Sequence, residues 1–195
     1  MAVISLASSK GGCGKSTTAV ALAGAFAQQG YSVRIIDADP ARRVFKWAGS
    51  GLAGPQITVS VADSQTIADA IETGQNEAEI VLVDVEGSAN MVVLLAIQQS
   101  DYVIIPAQPS AADVEEAVAT IAVVAAAEKS VRRKIPYGVL WTRVPVMRSR
   151  ETAALFDQIA AAGYPVLGQV IDRTAYKSLF SYCTTLDQLS SDDVP

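Results

Sequence analysis

The most constraining stretch of this chain is residues 2–29. An apolar run, "AVISLAS", leads into "SKGGCG" and then into a helical pattern that opens with "KSTTAVALAGAFAQQ". A strand that feeds a glycine-rich turn and then a helix places several backbone N–H groups around one point, with the positive end of the helix dipole behind them. Glycine is needed there because side chains would block an approaching anion and some positions need positive φ. The stretch therefore predicts an α/β fold with an anion site at the end of its first strand.

The rest of the chain repeats the alternation. Strands are predicted at 2–8, 32–39, 57–62, 79–86, 101–107, 135–142 and 165–171, with helices at 15–29, 64–73, 89–98, 111–130, 149–162 and 175–181. Several strands are apolar without a two-residue alternation, as in a sheet covered on both faces. Strand–helix alternation throughout implies right-handed parallel βαβ units. The expected fold is a doubly wound, mostly parallel sheet with helices on both faces, forming one domain over 1–195. The polar tail "SSDDVP" is expected to fray.

Composition removes several chemistries. The chain has no histidine and two cysteines, Cys13 and Cys183, outside any paired pattern. Imidazole proton transfer is excluded, and zinc sites and disulfide frameworks are not supported, so the chain reads as cytosolic. The start "MAVISLAS" lacks the basic leader of a signal peptide, and "AVATIAVVAAA" is too short to span a bilayer. Net charge is −5, yet residues 129–177 hold nine Lys or Arg against three acids. A basic face on an acidic body can meet a polyanion locally.

In the loop itself, the N–H groups of Gly11, Gly12, Cys13 and Gly14 can curl around a phosphate. Lys15 can reach β and γ phosphates, the Ser16 hydroxyl can ligate Mg²⁺, and Thr17 can contact the α phosphate. The usual pattern is G-x-x-x-x-G-K-[ST], but Ser9 stands at its first position and a second lysine, Lys10, follows. "KGGCGKS" is a deviant Walker A motif, and with it the chain resembles the ParA/MinD family of P-loop ATPases. The resemblance implies ATP/ADP and Mg²⁺ as ligands. It also implies a homodimer formed on ATP binding, in which Lys10 reaches across the interface to the partner's phosphates. Lys10, Lys15 and Asp39 are its implied catalytic groups.

"RIIDADP" ends the second strand with Asp37 and Asp39, where carboxylates face the ligand crevice of an open α/β sheet. It resembles the family's first switch motif. By that resemblance Asp39 positions the attacking water and Asp37 supports Mg²⁺ or its waters, with the two roles open to exchange. "IVLVDVEGS" is a Walker B type strand, apolar until Asp84, whose carboxylate can hold Mg²⁺ through water. Gly87 lets the backbone lie near the γ phosphate. Glu86 stands where many relatives have proline or a small residue. It is either a second carboxylate near the attacking water or a surface residue of the second switch, with the latter preferred.

After the sixth strand, "GVLWTRVPVMRSR" occupies the place where relatives touch the base, which makes Thr142 and Arg143 candidates. The same run resembles the smaller ParA-like proteins, especially a VirC1-like branch linked to conjugal DNA transfer. Partition-type relatives bind DNA without sequence preference through basic residues. Arg132, Arg133, Lys134, Arg148, Arg150, Arg173 and Lys177 form the candidate pool, with phosphate contacts sufficient. A ParB-like protein or cargo adaptor is the implied partner, and the bacterial cytoplasm, on the nucleoid, the implied location. A membrane-anchored MinD-type role wants a basic amphipathic C-terminal helix, and "SLFSYCTTLDQLSSDDVP" ends acidic. A dethiobiotin-synthetase-like ligase stays open as an alternative. An iron–sulfur reductase does not, because paired cysteines are missing.

Overall fold

The structure, a computed structural model, describes residues 1–51, 53–87 and 91–189. Seven strands form one sheet among the described residues: β1 (Ala2–Leu6), β2 (Val33–Ala38), β3 (Ile57–Val61), β4 (Ile80–Val85), β5 (Tyr102–Ala107), β6 (Tyr137–Val144) and β7 (Val166–Ile171). Their order is β3-β2-β4-β1-β5-β6-β7, and every neighbouring pair is parallel. The helices are α1 (Lys15–Gln28), α2 (Arg43–Ala48), α3 (Ile67–Glu77), α4 (Met91–Gln99), α5 (Ala111–Val131), α6 (Arg150–Ala161) and α7 (Thr174–Ser181). A 3-10 turn, Leu186–Gln188, follows them.

The central strands send alternate residues to two separate cores. Leu6, Ile35 and Leu82 face Ala19, Val20 and Ala23 of α1, Trp47 of α2 and Leu179 of α7. Val3, Ile36, Val81 and Val83 face the other side, under Ile71 of α3, Ile97 of α4, Ile121 of α5 and Ile159 of α6. Burial on both faces is why these strands read as unbroken apolar runs. The connection after β1 leads to β2 on one side, whereas β5 lies on β1's other flank. The sheet order thus reverses at β1, which opens a crevice at the carboxyl ends of the strands where ligands of such sheets bind.

Local differences from the sequence expectation have identifiable causes. The helix expected at 64–73 runs Ile67–Glu77 instead. Asp63 Oδ1 accepts from the N–H groups of Gln65 and Thr66 and from the Thr66 hydroxyl, so residues 63–66 are spent on a turn. The six-residue α2 was not expected at all. Its N–H at Phe45 donates 2.9 Å to Asp37 Oδ2, a carboxylate on the end of β2, so the helix is held from outside its own sequence. Trp47, 1% exposed, then locks α2 to the C-terminal segment by donating from Nε1 to the Thr184 carbonyl at 3.0 Å. α6 starts as expected, with the Ser149 hydroxyl accepting from the Thr152 N–H. The helix expected at 89–98 is described from Met91, and residues 89 and 90 and the tail 190–195 lie outside the described residues.

No helix among the described residues is long and apolar enough to cross a membrane.

Candidate functional site

The loop between β1 and α1 closes on itself. Gly12 and Gly14 have φ of 80° and 100°, and Gly14 is the residue before the first turn of α1. Such angles are strained for any residue with a Cβ, so the glycines here set the curl of the loop. Lys15 is nearly buried and folds back, its Nζ donating 2.8 Å to the Lys10 carbonyl, with the Ser8 carbonyl 3.5 Å away. The ammonium is therefore held where carbonyl oxygens converge, at the mouth of the loop.

Both sides of the loop are braced. Thr142 Oγ1 donates 2.7 Å to the Cys13 carbonyl, and Thr142 is 4% exposed. Its hydroxyl is engaged with the loop, although Thr142 also borders the neighbouring cavity. On the outer arm, the Ser9 N–H donates to Thr120 Oγ1 at 3.1 Å and Gln108 Nε2 donates to the Gly12 carbonyl at 2.9 Å. Gly87 packs directly against this arm. A Cβ placed on it would sit 2.6 Å from the Lys10 carbonyl oxygen and 2.7 Å from the Gly11 nitrogen. The sequence reading assigned Gly87 to the γ phosphate; the structure also shows why no larger residue fits beside the loop.

Asp37 and Asp84 are directly paired positions of adjacent parallel strands, and both are fully buried. Their oxygens are used differently. Asp37 accepts from the Phe45 N–H and, at 3.2 Å, from the Asp39 N–H, so it shapes the turn and holds α2. Neither oxygen of Asp84 has a hydrogen-bond partner among the described residues. Burial pushes the Asp84 carboxyl up to about 7; Lys15 and the Ser16 hydroxyl, which falls outside hydrogen-bonding geometry, counter this only in part. Burial also raises Asp37, against the pull of its two N–H donors. Asp39 is half-buried and accepts from the Ala41 N–H at 2.7 Å.

A buried carboxylate with both oxygens unsatisfied wants either a proton or a cation. Among the described residues no group of three or more His, Cys, Asp or Glu could hold a metal alone. Mg²⁺ keeps most of its waters and takes one or two protein oxygens plus substrate phosphate. Ser16 and Asp84 fit such an ion.

Beside the loop lies a cavity of about 700 Å³. Gly14, Ser16 and Thr17 line it from the phosphate loop, and Arg143 of β6 with Asp172, Arg173 and Tyr176, which follow β7, line it as well. Lys46, Trp47 and Lys177 also line it. Asp172 and Tyr176 were not anticipated as site residues, and Arg173 was named only as a candidate DNA contact. Their place just after the carboxyl end of β7 was the available signal, since crevice residues of such sheets come from strand ends. Arg173 and Lys177, two members of the candidate DNA pool, also border this cavity. Other members of the basic pool already have internal partners. Arg133 donates to the Gln98 and Ser100 carbonyls, Lys134 pairs with Glu128, and Arg148 lies over the Phe156 ring and donates to Gln169. Arg132 is the left-handed residue that ends α5, and Arg150 is the first residue of α6.

A parallel sheet whose order reverses at β1, a lysine-bearing glycine loop and a buried acid beside Ser16 define the class of P-loop ATPases. The family model described as "VirC1 protein" matches residues 1–182. The chain belongs to this family, within the ParA/MinD group of P-loop ATPases. It is 36% identical over 194 residues to "Protein ParA" of Rhizobium radiobacter, covering 98% of this chain and 87% of that one. It is 30% identical over 175 residues to the maintenance of carboxysome distribution protein A of Halothiobacillus neapolitanus, covering 88% of this chain and 80% of that one. Its fold matches the McdA(D38A)–ATP complex of Cyanothece with a TM-score of 0.82 at 19% identity, over 99% of this chain and 92% of that one.

Proposed function

We propose that this chain is an Mg²⁺-dependent ATPase switch of one domain. ATP joins two copies, the joined form binds DNA without sequence preference, and hydrolysis resets it to partition or position a cargo. The observation that carries the reading is Asp84: a fully buried carboxylate with neither oxygen paired among the described residues, at the foot of a phosphate loop and beside Ser16. The relatives support it, since one is a ParA and another maintains carboxysome distribution.

In this reading the N–H groups of Gly11 to Gly14 and the Lys15 ammonium hold the phosphates, and Lys15 exchanges the Lys10 carbonyl for phosphate oxygen. Thr17 meets the α phosphate. Ser16 and Asp84 hold Mg²⁺, Asp84 through water, and Asp37 steadies the same region. Bound there, Mg²⁺ would neutralise the charge that develops on the transferring phosphoryl group. Asp39, at the rim, orients the attacking water. Arg143 and the wall after β7 receive the nucleoside. Lys10 is donated to the other subunit's triphosphate. Phosphoryl transfer relies on positioning and charge more than on covalent help, so a lone subunit hydrolyses slowly and a pair faster. DNA contacts come from the basic residues of 129–177, with Arg132 and Arg150, which have no ion-pair partner among the described residues, foremost. A ParB-like or cargo-adaptor protein stimulates the reset, in the bacterial cytoplasm on the nucleoid. The VirC1 family match favours a second reading, an accessory ATPase of conjugal DNA transfer.

Analytical ultracentrifugation tests the core of the proposal. Wild-type protein should double in mass with Mg²⁺-ATP and not with ADP. Lys10→Ala should bind ATP and stay monomeric, and Lys15→Ala should lose nucleotide binding. Equal masses for wild type and Lys10→Ala in ATP would remove the trans-lysine role. A companion measurement concerns DNA: ATP-loaded wild type should retain duplexes of unrelated sequence equally. Its affinity should fall by roughly a hundredfold between 50 and 200 mM salt for about four phosphate contacts. Sequence-selective or salt-insensitive retention contradicts the proposal.

A further inference from the structure

Lys10 is already engaged within its own chain. Its Nζ lies 2.6 Å from Asp113 Oδ2, near the start of α5. The two partners are unequal: the Lys10 side chain is 38% exposed, whereas that of Asp113 is 3% exposed. Asp113 is also fixed by other bonds. The Ser110 hydroxyl donates to Oδ2 at 2.6 Å, and the Gln108 N–H donates to Oδ1 at 3.2 Å. The Ser110 hydroxyl in turn accepts from the Asp113 N–H at 3.2 Å. The backbone under Lys10 is equally constrained, by Thr120 on one side and Gly87 on the other. The lysine side chain is thus the movable part of this arrangement, and the carboxylate is the stationary part.

We propose that Asp113 is a positioning residue that parks Lys10 in cis, so that two copies close only when the partner's nucleotide outcompetes this carboxylate. The proposal rests on the reading that Lys10 acts across the subunit boundary. Two anions compete for one ammonium. Breaking a charge-assisted bond to a buried acid is costly, and a triphosphate offers more compensating charge than a diphosphate. Once Lys10 has left, Asp113 keeps the Ser110 and Gln108 donors and the favourable end of the α5 dipole, so it stays ionised and ready to recapture the lysine. Burial alone would raise the Asp113 carboxyl, but the Lys10, Ser110 and Gln108 donors outweigh it and hold it below its ordinary value. Asp113 in turn holds Lys10 above the ordinary lysine value. Both groups are therefore charged at neutral pH. Selectivity for ATP over ADP is, on this account, set partly by an acid that touches no nucleotide.

The test is dimerisation of full-length Asp113→Asn against nucleotide concentration, read by ultracentrifugation. The amide keeps the shape and the Ser110 contact but releases the ammonium. The ATP concentration at half-dimer should fall about tenfold, the worth of one charge-assisted bond. A dimer should also appear in ADP, where wild type shows none. Asp113→Asn combined with Lys10→Ala should behave as Lys10→Ala alone. A midpoint at or above that of wild type, in a variant with unchanged nucleotide affinity, overturns the parking role. If wild type itself never pairs in ATP, the trans-lysine reading falls and this proposal with it, which is a different result. Should Asp113→Asn fold poorly, ¹⁵N NMR of lysine amines in the wild type decides. A protected, slowly exchanging Lys10 ammonium without nucleotide that changes on ATP-driven pairing supports parking. A freely exchanging one overturns it.

Discussion

Asp84→Asn should make the nucleotide-free protein more stable at pH 8 while removing its response to Mg²⁺. Below the ordinary carboxyl value of 3.8 both folded and unfolded chains carry the proton, and Asp84 contributes nothing. Between 3.8 and about 7 the unfolded chain releases the proton while the fully buried carboxyl keeps it, so stability falls as pH rises and levels off above that window. The full penalty is bounded at roughly 4 kcal/mol, and a buried amide without partners gives part of it back, so a net gain of about 1–3 kcal/mol is expected. In a chain of this length that is about 3–10 °C in melting temperature. Thermal unfolding of both proteins from pH 4 to 8 checks this: the variant should lie level with or below wild type at pH 4, by the cost of the amide, and rise above it toward pH 8. The same variant should lose Mg²⁺-dependent ATP turnover. A variant less stable than wild type at pH 8 means Asp84 is not held unpaired and buried.

Gly87→Ala carries the second large effect, by a steric route. The added methyl would lie 2.6 Å from the Lys10 carbonyl oxygen and 2.7 Å from the Gly11 nitrogen. Both are backbone atoms, so no rotamer change relieves the clash and the outer arm of the phosphate loop must shift. That arm is also pinned by Thr120 and Gln108, which limits where it can go. A displacement approaching 1 Å in a preorganised site costs about a hundredfold, so ATP affinity should fall by at least that much. Titration with a fluorescent ATP analogue measures it, and circular dichroism should show the helices retained. Wild-type affinity in Gly87→Ala contradicts the packing of Gly87 on the loop.

The sheet and most of its helices were legible because their signals are local. β-branched runs mark the seven strands, and the spacing of Lys10, Gly14, Lys15 and Ser16 marks the loop. Asp84 was legible as the first polar residue of an apolar strand. What escaped depends on partners far away in the chain. α2 depends on a carboxylate from the preceding strand. Thr142 borders the cavity where its position suggested a base contact, but the bond from its hydroxyl to a carbonyl 129 residues earlier has no signal in the sequence. Lys10 and Asp113 are 103 residues apart, and no pattern around either announces the other. The cavity lining that follows β7 comes from a strand end with no motif of its own. The partners of charged side chains were the least legible, because a basic residue such as Arg133 looks free in a sequence and is bound to two carbonyls in the fold.

The double attachment of Asp37 has a mechanical consequence. One oxygen steadies the turn that carries Asp39, and the other holds the first turn of the helix bearing the deeply enclosed indole of Trp47. Through Asp37 and Trp47 the turn at the crevice is thereby tied by successive hydrogen bonds to the segment around Thr184, on the face opposite α5.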